Sequence, residues 1–103
     1  MKTQTVGEFR IDRVVESEGP FAAIDFLLPE VTQELIDEHA DWLKPRFLTP
    51  ENNQVVLSFH SFVLRTRRHT ILIDACTGND KERPARPSWH RQKNDYLDRL
   101  ARA

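Results

Sequence analysis

The sequence predicts an α+β fold built mainly from antiparallel strands with two helices. Three observations predict it. Residues 54–66, QVVLSFHSFVLRT, are β-branched and aromatic, and after a short polar break they are followed by TILIDA over 70–75. Residues 31–43 and 93–103 instead carry apolar side chains at helical spacing. Glycine is scarce, at three in 103 residues, which disfavours a small all-β fold rich in tight turns.

Taken in order, residues 6–16, VGEFRIDRVVE, alternate apolar and charged positions and read as a half-buried strand. Gly19-Pro20 reads as a turn that breaks it, and Phe21 to Pro29 as an extended connection. A helix then opens at Pro29, with Thr32 or a neighbour at its cap. Val31, Leu35, Ile36, Trp42 and Leu43 fall on one side of it, and Pro45 ends it. Residues 45–53 form a loop. The strands 54–66 and 70–75 form a hairpin with Arg67-Arg68-His69 at its tip, and their near-continuous apolar character predicts burial on both faces. Residues 76–90, with Gly78, Pro84 and Pro87, form a long irregular loop of the kind that is usually functional or poorly ordered. Residues 93–103 close the chain as a short amphipathic helix with Tyr96, Leu97 and Leu100 on one face.

Composition sets limits. At 103 residues and 39% hydrophobic the chain is one domain's worth. No apolar run approaches the roughly 20 residues of a spanning helix, and the mean hydropathy is -0.58. The net charge of -1 argues against a dedicated nucleic-acid binder. Charge is unevenly spread: residues 1–53 carry 5 basic and 11 acidic side chains, and residues 54–103 carry 10 and 5. The two halves attract each other within one domain, or the basic half faces an anionic partner. A single cysteine, Cys76, excludes an internal disulfide and a cysteine-based zinc cluster. The charged N-terminus lacks a signal-peptide core, so a cytoplasmic location is expected.

Candidate chemistry is sparse. None of His39, His60, His69 and His90 is two or four residues from another, so no local metal motif exists. His39 reads as a packing residue on the apolar helix side, His60 as hydrogen-bonded strand structure, and His69 as solvated. His90, beside Trp89 in the long loop, alone has the context of a site. Cys76 reads as a small buried residue, and Ser58 and Ser61 lack a nucleophile elbow. The pairs Asp37/Glu38 and Asp12/Glu16 read as solvated faces. No glycine-rich phosphate loop is present.

The run SFHSFVLRTRRHTILIDACTGNDKERP, followed by Trp89-His90, resembles the N-terminal part of metallo-β-lactamase-fold hydrolases. The likeness is closest to the branch that contains quorum-quenching lactonases and organophosphate hydrolases. The most specific part is the GNDK phrase after a strand that ends in aspartate. The leading strand, the helical segment and the final NDYLDRLARA extend the likeness over nearly the whole chain. The resemblance implies an αβ/βα sandwich with a two-metal centre, usually zinc, whose bound hydroxide attacks a lactone, ester, lactam or phosphoester.

The family signature His-x-His-x-Asp-His does not occur in these residues. The resemblance therefore implies that 1–103 is a partial domain, truncated before that motif and inactive alone. It holds no metal itself, whereas the full-length family holds two zinc or similar divalent ions. Carried over by resemblance, Asp74 supports the metal site without ligating, Gly78, Asn79, Asp80 and Lys81 shape the site's edge, and Trp89 and His90 lie near its entrance. No nucleophile or metal ligand carries over. The expected partner is a second copy or the missing C-terminal part of the fold, and a small-molecule substrate belongs only to the complete protein. The alternative is a free-standing α+β interaction protein, dimeric through its sheet, with a basic loop over 81–91 for an anionic partner.

Overall fold

The computed structural model describes residues 3–103. It contains β1 (Gln4–Val6), β2 (Phe9–Ala23), α1 (Ile24–Leu27), α2 (Gln33–Glu38), α3 (Ala40–Leu43), β3 (Gln54–Arg65), β4 (Thr70–Ile73) and α4 (Tyr96–Arg102). The strands form one antiparallel sheet in the order β1-β2-β3-β4. With 35% strand and 21% helix the fold is α+β, although the two expected helices are four short ones.

The leading segment is a hairpin and not one strand. Val6 pairs with Phe9, so Gly7-Glu8 is a two-residue turn. Gly7 alone of the two has positive φ (60°), the pattern of a type II′ turn, for which glycine is suited at the first position. Gly19-Pro20 does not break β2, which runs on to Ala23. Proline's fixed φ is compatible with extended backbone, and Gly19 takes a φ of 147°.

The chain divides into two compact units, residues 3–17 with 58–103, and Glu18–Leu57. In the second, Ile36 and Leu48 are the buried apolar residues. The Thr32 hydroxyl caps α2 by accepting the Leu35 N–H (3.2 Å), and α3 ends just before Pro45, both as the sequence predicts. The expected single helix is divided at His39, whose backbone (φ -108°, ψ 9°) leaves the helical region and whose N–H is shared among the preceding carbonyls. His39 is not a packing residue. It is exposed, and its Nδ1 accepts the Trp42 indole N–H at 3.2 Å. Leu35 and Trp42, expected on a buried side, are 46% and 57% exposed.

In the first unit the sheet has two unlike faces, because successive strand residues point to opposite sides. Val14, Val63 and Tyr96 form the core of the inner face, with Cys76 and Leu100 packed against them. Tyr96 and Leu100, four residues apart, share one side of α4. Leu97 lies about 100° round from Tyr96 and is 67% exposed, which corrects its place in the amphipathic face. The Tyr96 hydroxyl meets Ser61 Oγ at 2.5 Å, and Ser61 donates to the Asp74 carbonyl at 2.7 Å.

The outer face is open. Ile11, Phe62, Leu64 and Ile73 surround an apolar hollow of about 250 Å³. β4 is an edge strand, and Ile71, Leu72 and Ile73 are 42–49% exposed, so the expected burial of the hairpin on both faces does not hold for it. The hairpin register (Phe62 with Ile73, Leu64 with Ile71) puts these apolar side chains on the same open face. The tip closes as the sequence predicts: Thr66 Oγ1 accepts the N–H groups of Arg68 and His69.

Tyr96→Phe removes the buried hydroxyl contact with Ser61 while keeping the ring. It is expected to destabilise the fold by about 1 kcal/mol, read as a lowered urea midpoint at unchanged m-value. An unchanged midpoint would show that the Ser61–Tyr96 contact contributes no net stability.

Candidate functional site

The sheet-end pocket of the first unit, about 270 Å³, is the place where polar side chains and aromatic walls converge. β3 contributes Ser58, Phe59 and His60. The turn after β4 contributes Asp74, Cys76 and Thr77, and Trp89 supplies a wall from the long loop. Phe59 meets the Trp89 ring edge-on, with centroids 5.4 Å apart.

Local sequence chemistry builds this corner. Asp74 and Cys76 have positive φ (69° and 61°), which stops β4 at Ile73. Asp74 Oδ1 accepts the Cys76 N–H at 2.9 Å, an aspartate turn that stabilises this conformation. On β3, Ser58 and His60 point to the same side and bond through Ser58 Oγ and His60 Nδ1 at 2.8 Å. Arg13 donates to the same Ser58 oxygen, so a guanidinium, a hydroxyl and an imidazole form one hydrogen-bonded row.

The long loop is held from below by Glu16. Asp12 and Glu16 do not form a solvated face: they are 9% and 2% exposed. Alternation from the buried Val14 turns both inward, and distant donors make that burial tolerable. Asp12 accepts from Thr3 and from Arg65. The Thr3 hydroxyl holds its carboxyl below the usual range, with Arg10 and Arg65 adding to this against the opposing effect of burial. Glu16 accepts the Thr77 N–H (3.1 Å), the Thr77 hydroxyl and the Gly78 N–H (2.9 Å). Burial is the largest single influence on Glu16 and acts upward. The donors from Thr77 and Gly78, with Gln92, together outweigh it, and its carboxyl lies below the usual range.

Burial pushes the Cys76 thiol up, and the negative charges of Glu16 and Asp74 add to this while Ser61 opposes it. Burial also raises the Tyr96 hydroxyl, against the opposing effect of its hydrogen-bond contact with Ser61.

Of the residues singled out from sequence, Asp74 and Trp89 line the pocket. Gly78, Asn79, Asp80 and Lys81 build the loop beside it. Gly78 bonds to Glu16, and a Cβ there would come within 3.1 Å of the Lys81 side chain. Asn79 makes a reciprocal pair with the Asn94 backbone (2.9 and 3.2 Å). The Asp80 N–H reaches the Gln92 carbonyl, and the Lys81 carbonyl accepts from Arg91. His90 faces inward along the loop, where its Nδ1 accepts the Arg83 N–H at 2.9 Å. Sequence reasoning missed Ser58, His60, Cys76 and Thr77 as pocket residues. The spacing of Ser58 and His60, two apart on a strand, was the available signal for that pair.

Among the described residues no three of histidine, cysteine, aspartate and glutamate come together to hold a metal ion. A zinc centre takes three or four protein ligands, so the side chains present here do not fit one. Among the described residues no helix is long and apolar enough to cross a membrane. Compared with family models, with curated proteins and with solved structures, the chain matches none.

A raised thiol carries less nucleophilic thiolate at neutral pH. Cys76 is therefore expected to alkylate more slowly in the folded chain than in urea at pH 7.5, with its rate–pH profile displaced to higher pH. Equal folded and unfolded rates would contradict this environment for the thiol.

Proposed function

We propose that these residues form the front part of a metal-dependent hydrolase of metallo-β-lactamase fold, acting on a lactone, ester or phosphoester. In this proposal the metal ligands come from polypeptide outside residues 1–103. The single observation that carries it is β4. Its Ile71, Leu72 and Ile73 are exposed on both faces of a sheet-edge strand, immediately before the DACTGNDK turn that resembles the family. Isolated edges are normally protected by charge, proline or a bulge, and β4 has none of these within Thr70–Ile73. A strand apolar on both sides belongs in the interior of a layered sheet.

In the complete protein the bound metals would activate water. The present residues supply the surroundings of that chemistry. Asp74 is fixed in its turn beside the pocket, and Phe59 and Trp89 give it an apolar wall. His60, Ser58 and Thr77 offer hydrogen bonds to a substrate carbonyl or phosphoryl oxygen. No catalytic step is assigned to these side chains themselves.

The test is a chimera that joins residues 1–103 to the His-x-His-x-Asp-His-bearing remainder of a lactonase of this fold. The expected result is a folded protein with two metal ions per chain that hydrolyses a lactone or phosphotriester. A folded chimera without metal or hydrolysis would overturn the proposal.

The chain alone is expected to self-associate through β4, and Leu72→Lys to shift it toward monomer by light scattering. A monodisperse monomer that unfolds cooperatively would count against an interior role for this strand. A tight dimer whose binding of anionic partners weakens with salt would favour the interaction-protein alternative.

A further inference from the structure

We infer that Glu16 is a positioning residue for the pocket, a carboxylate anchor that sets the wall formed by Thr77 and the loop that follows. The inference rests on the preceding proposal for the purpose of the pocket, and on geometry alone for the anchor.

Glu16 is 2% exposed and lies on the inner face of β2. Its two oxygens take three donors from two consecutive residues: the N–H and hydroxyl of Thr77 on Oε1, and the N–H of Gly78 on Oε2. Thr77 lines the pocket, and Gly78, at φ 86°, turns the chain away from it. Gln92, at the far end of the loop, closes the ring by donating to Thr77 Oγ1 (2.5 Å) and to the Gly78 carbonyl (3.0 Å). Arg83 donates to the Thr77 carbonyl at 2.8 Å. One carboxylate thus organises the loop from Thr77 to Gln92, which has no helix or strand of its own.

The charge matters as well as the shape. A carboxylate accepts on both oxygens, whereas a carboxyl or an amide presents a hydrogen to at least one of these donors. Neutralising Glu16 therefore forces one N–H or O–H away and frees the wall.

The groups that face Glu16 are few. Two are guanidinium groups: Arg83 reaches the Thr77 carbonyl, and Arg99 reaches the Glu16 backbone carbonyl at 3.2 Å. Cys76 and Tyr96 are neutral there, both shifted upward in part by the Glu16 charge. Asp74, bonded to the Cys76 N–H, is the neighbouring carboxylate and needs its own control.

The test is amide hydrogen exchange of the 103-residue chain, corrected for intrinsic rates, at the Thr77 and Gly78 amides and across 76–94. In the native protein these amides are expected to open as pH falls through the Glu16 range. Opening begins below the usual glutamate value, because a depressed carboxyl keeps its anchor until lower pH. Glu16→Gln is expected to speed exchange of these amides by at least about tenfold. It is also expected to flatten their pH dependence while leaving the amides of the β3–β4 ladder unchanged. Asp74→Asn is expected to keep the pH dependence.

Should Glu16→Gln fail to fold, Thr77→Val keeps the shape, removes one donor and is expected to move the acid midpoint of the loop upward. Unchanged exchange in Glu16→Gln, an unmoved midpoint in Thr77→Val, or an acid transition that vanishes in Asp74→Asn would each overturn the assignment. No metal and no hydrolysis enters this measurement, so its failure leaves the hydrolase proposal standing, and the converse also holds.

Discussion

A carboxylate taken out of water must find donors or become neutral, and β2 turns two of them inward around Val14. Asp12 and Glu16 occupy positions that a half-buried strand would ordinarily fill with apolar side chains. Each is tied to segments far along the chain. Asp12 meets Arg65 near the end of β3, and Glu16 meets residues 61 and 62 positions later. The requirement to satisfy Glu16 fixes where the backbone of Thr77 and Gly78 passes. From there Gln92 and the Asn79–Asn94 pair carry the order to the start of α4. Tyr96, the first residue of α4, then comes to rest over Val14, Val63 and Ser61. The polar network and the small apolar core are therefore two parts of one inner face.

What was legible in the sequence was local. The β3–β4 hairpin, the Thr32 cap and the stop before Pro45 each depend on residues within a few positions of one another, and each is present. What was not legible depends on remote partners. The alternation of β2 places residues 12, 14 and 16 together. The outward residues Ile11 and Val15 are apolar too, so periodicity alone does not say which face is buried. Polarity then points Asp12 and Glu16 to solvent, and donors elsewhere in the chain (Thr3 and Arg65 for Asp12, Thr77 and Gly78 for Glu16) reverse that. The helix divided at His39 is a similar case, because the indole–imidazole bond with Trp42 leaves no trace in hydropathy.

The candidate site shows the same division. Asp74 and Trp89, singled out from the phrase that resembles a known family, are among the residues that line the pocket. Asn79, Asp80, Lys81 and His90 are spent on holding the loop together, and Gly78 ties it to Glu16. The side chains that complete the pocket, Ser58 and His60, come from the preceding strand. They are carried to the same corner by the antiparallel pairing of β3 with β4.

The two faces of the sheet differ in how far they are covered. On the inner face Asp12 and Glu16 both have donors, and the core residues have a loop and a helix over them. On the outer face Phe62, Leu64 and Ile73 surround a hollow, and β4 offers an unpaired apolar edge. A network that fixes the inner loop through hydrogen bonds does not depend on what covers the outer face. The pocket wall can therefore be set whatever lies against the outer face. On the reading proposed above, a hydrolase site on this sheet would meet Asp74, Thr77 and Trp89 on an inner loop that its own hydrogen bonds already position.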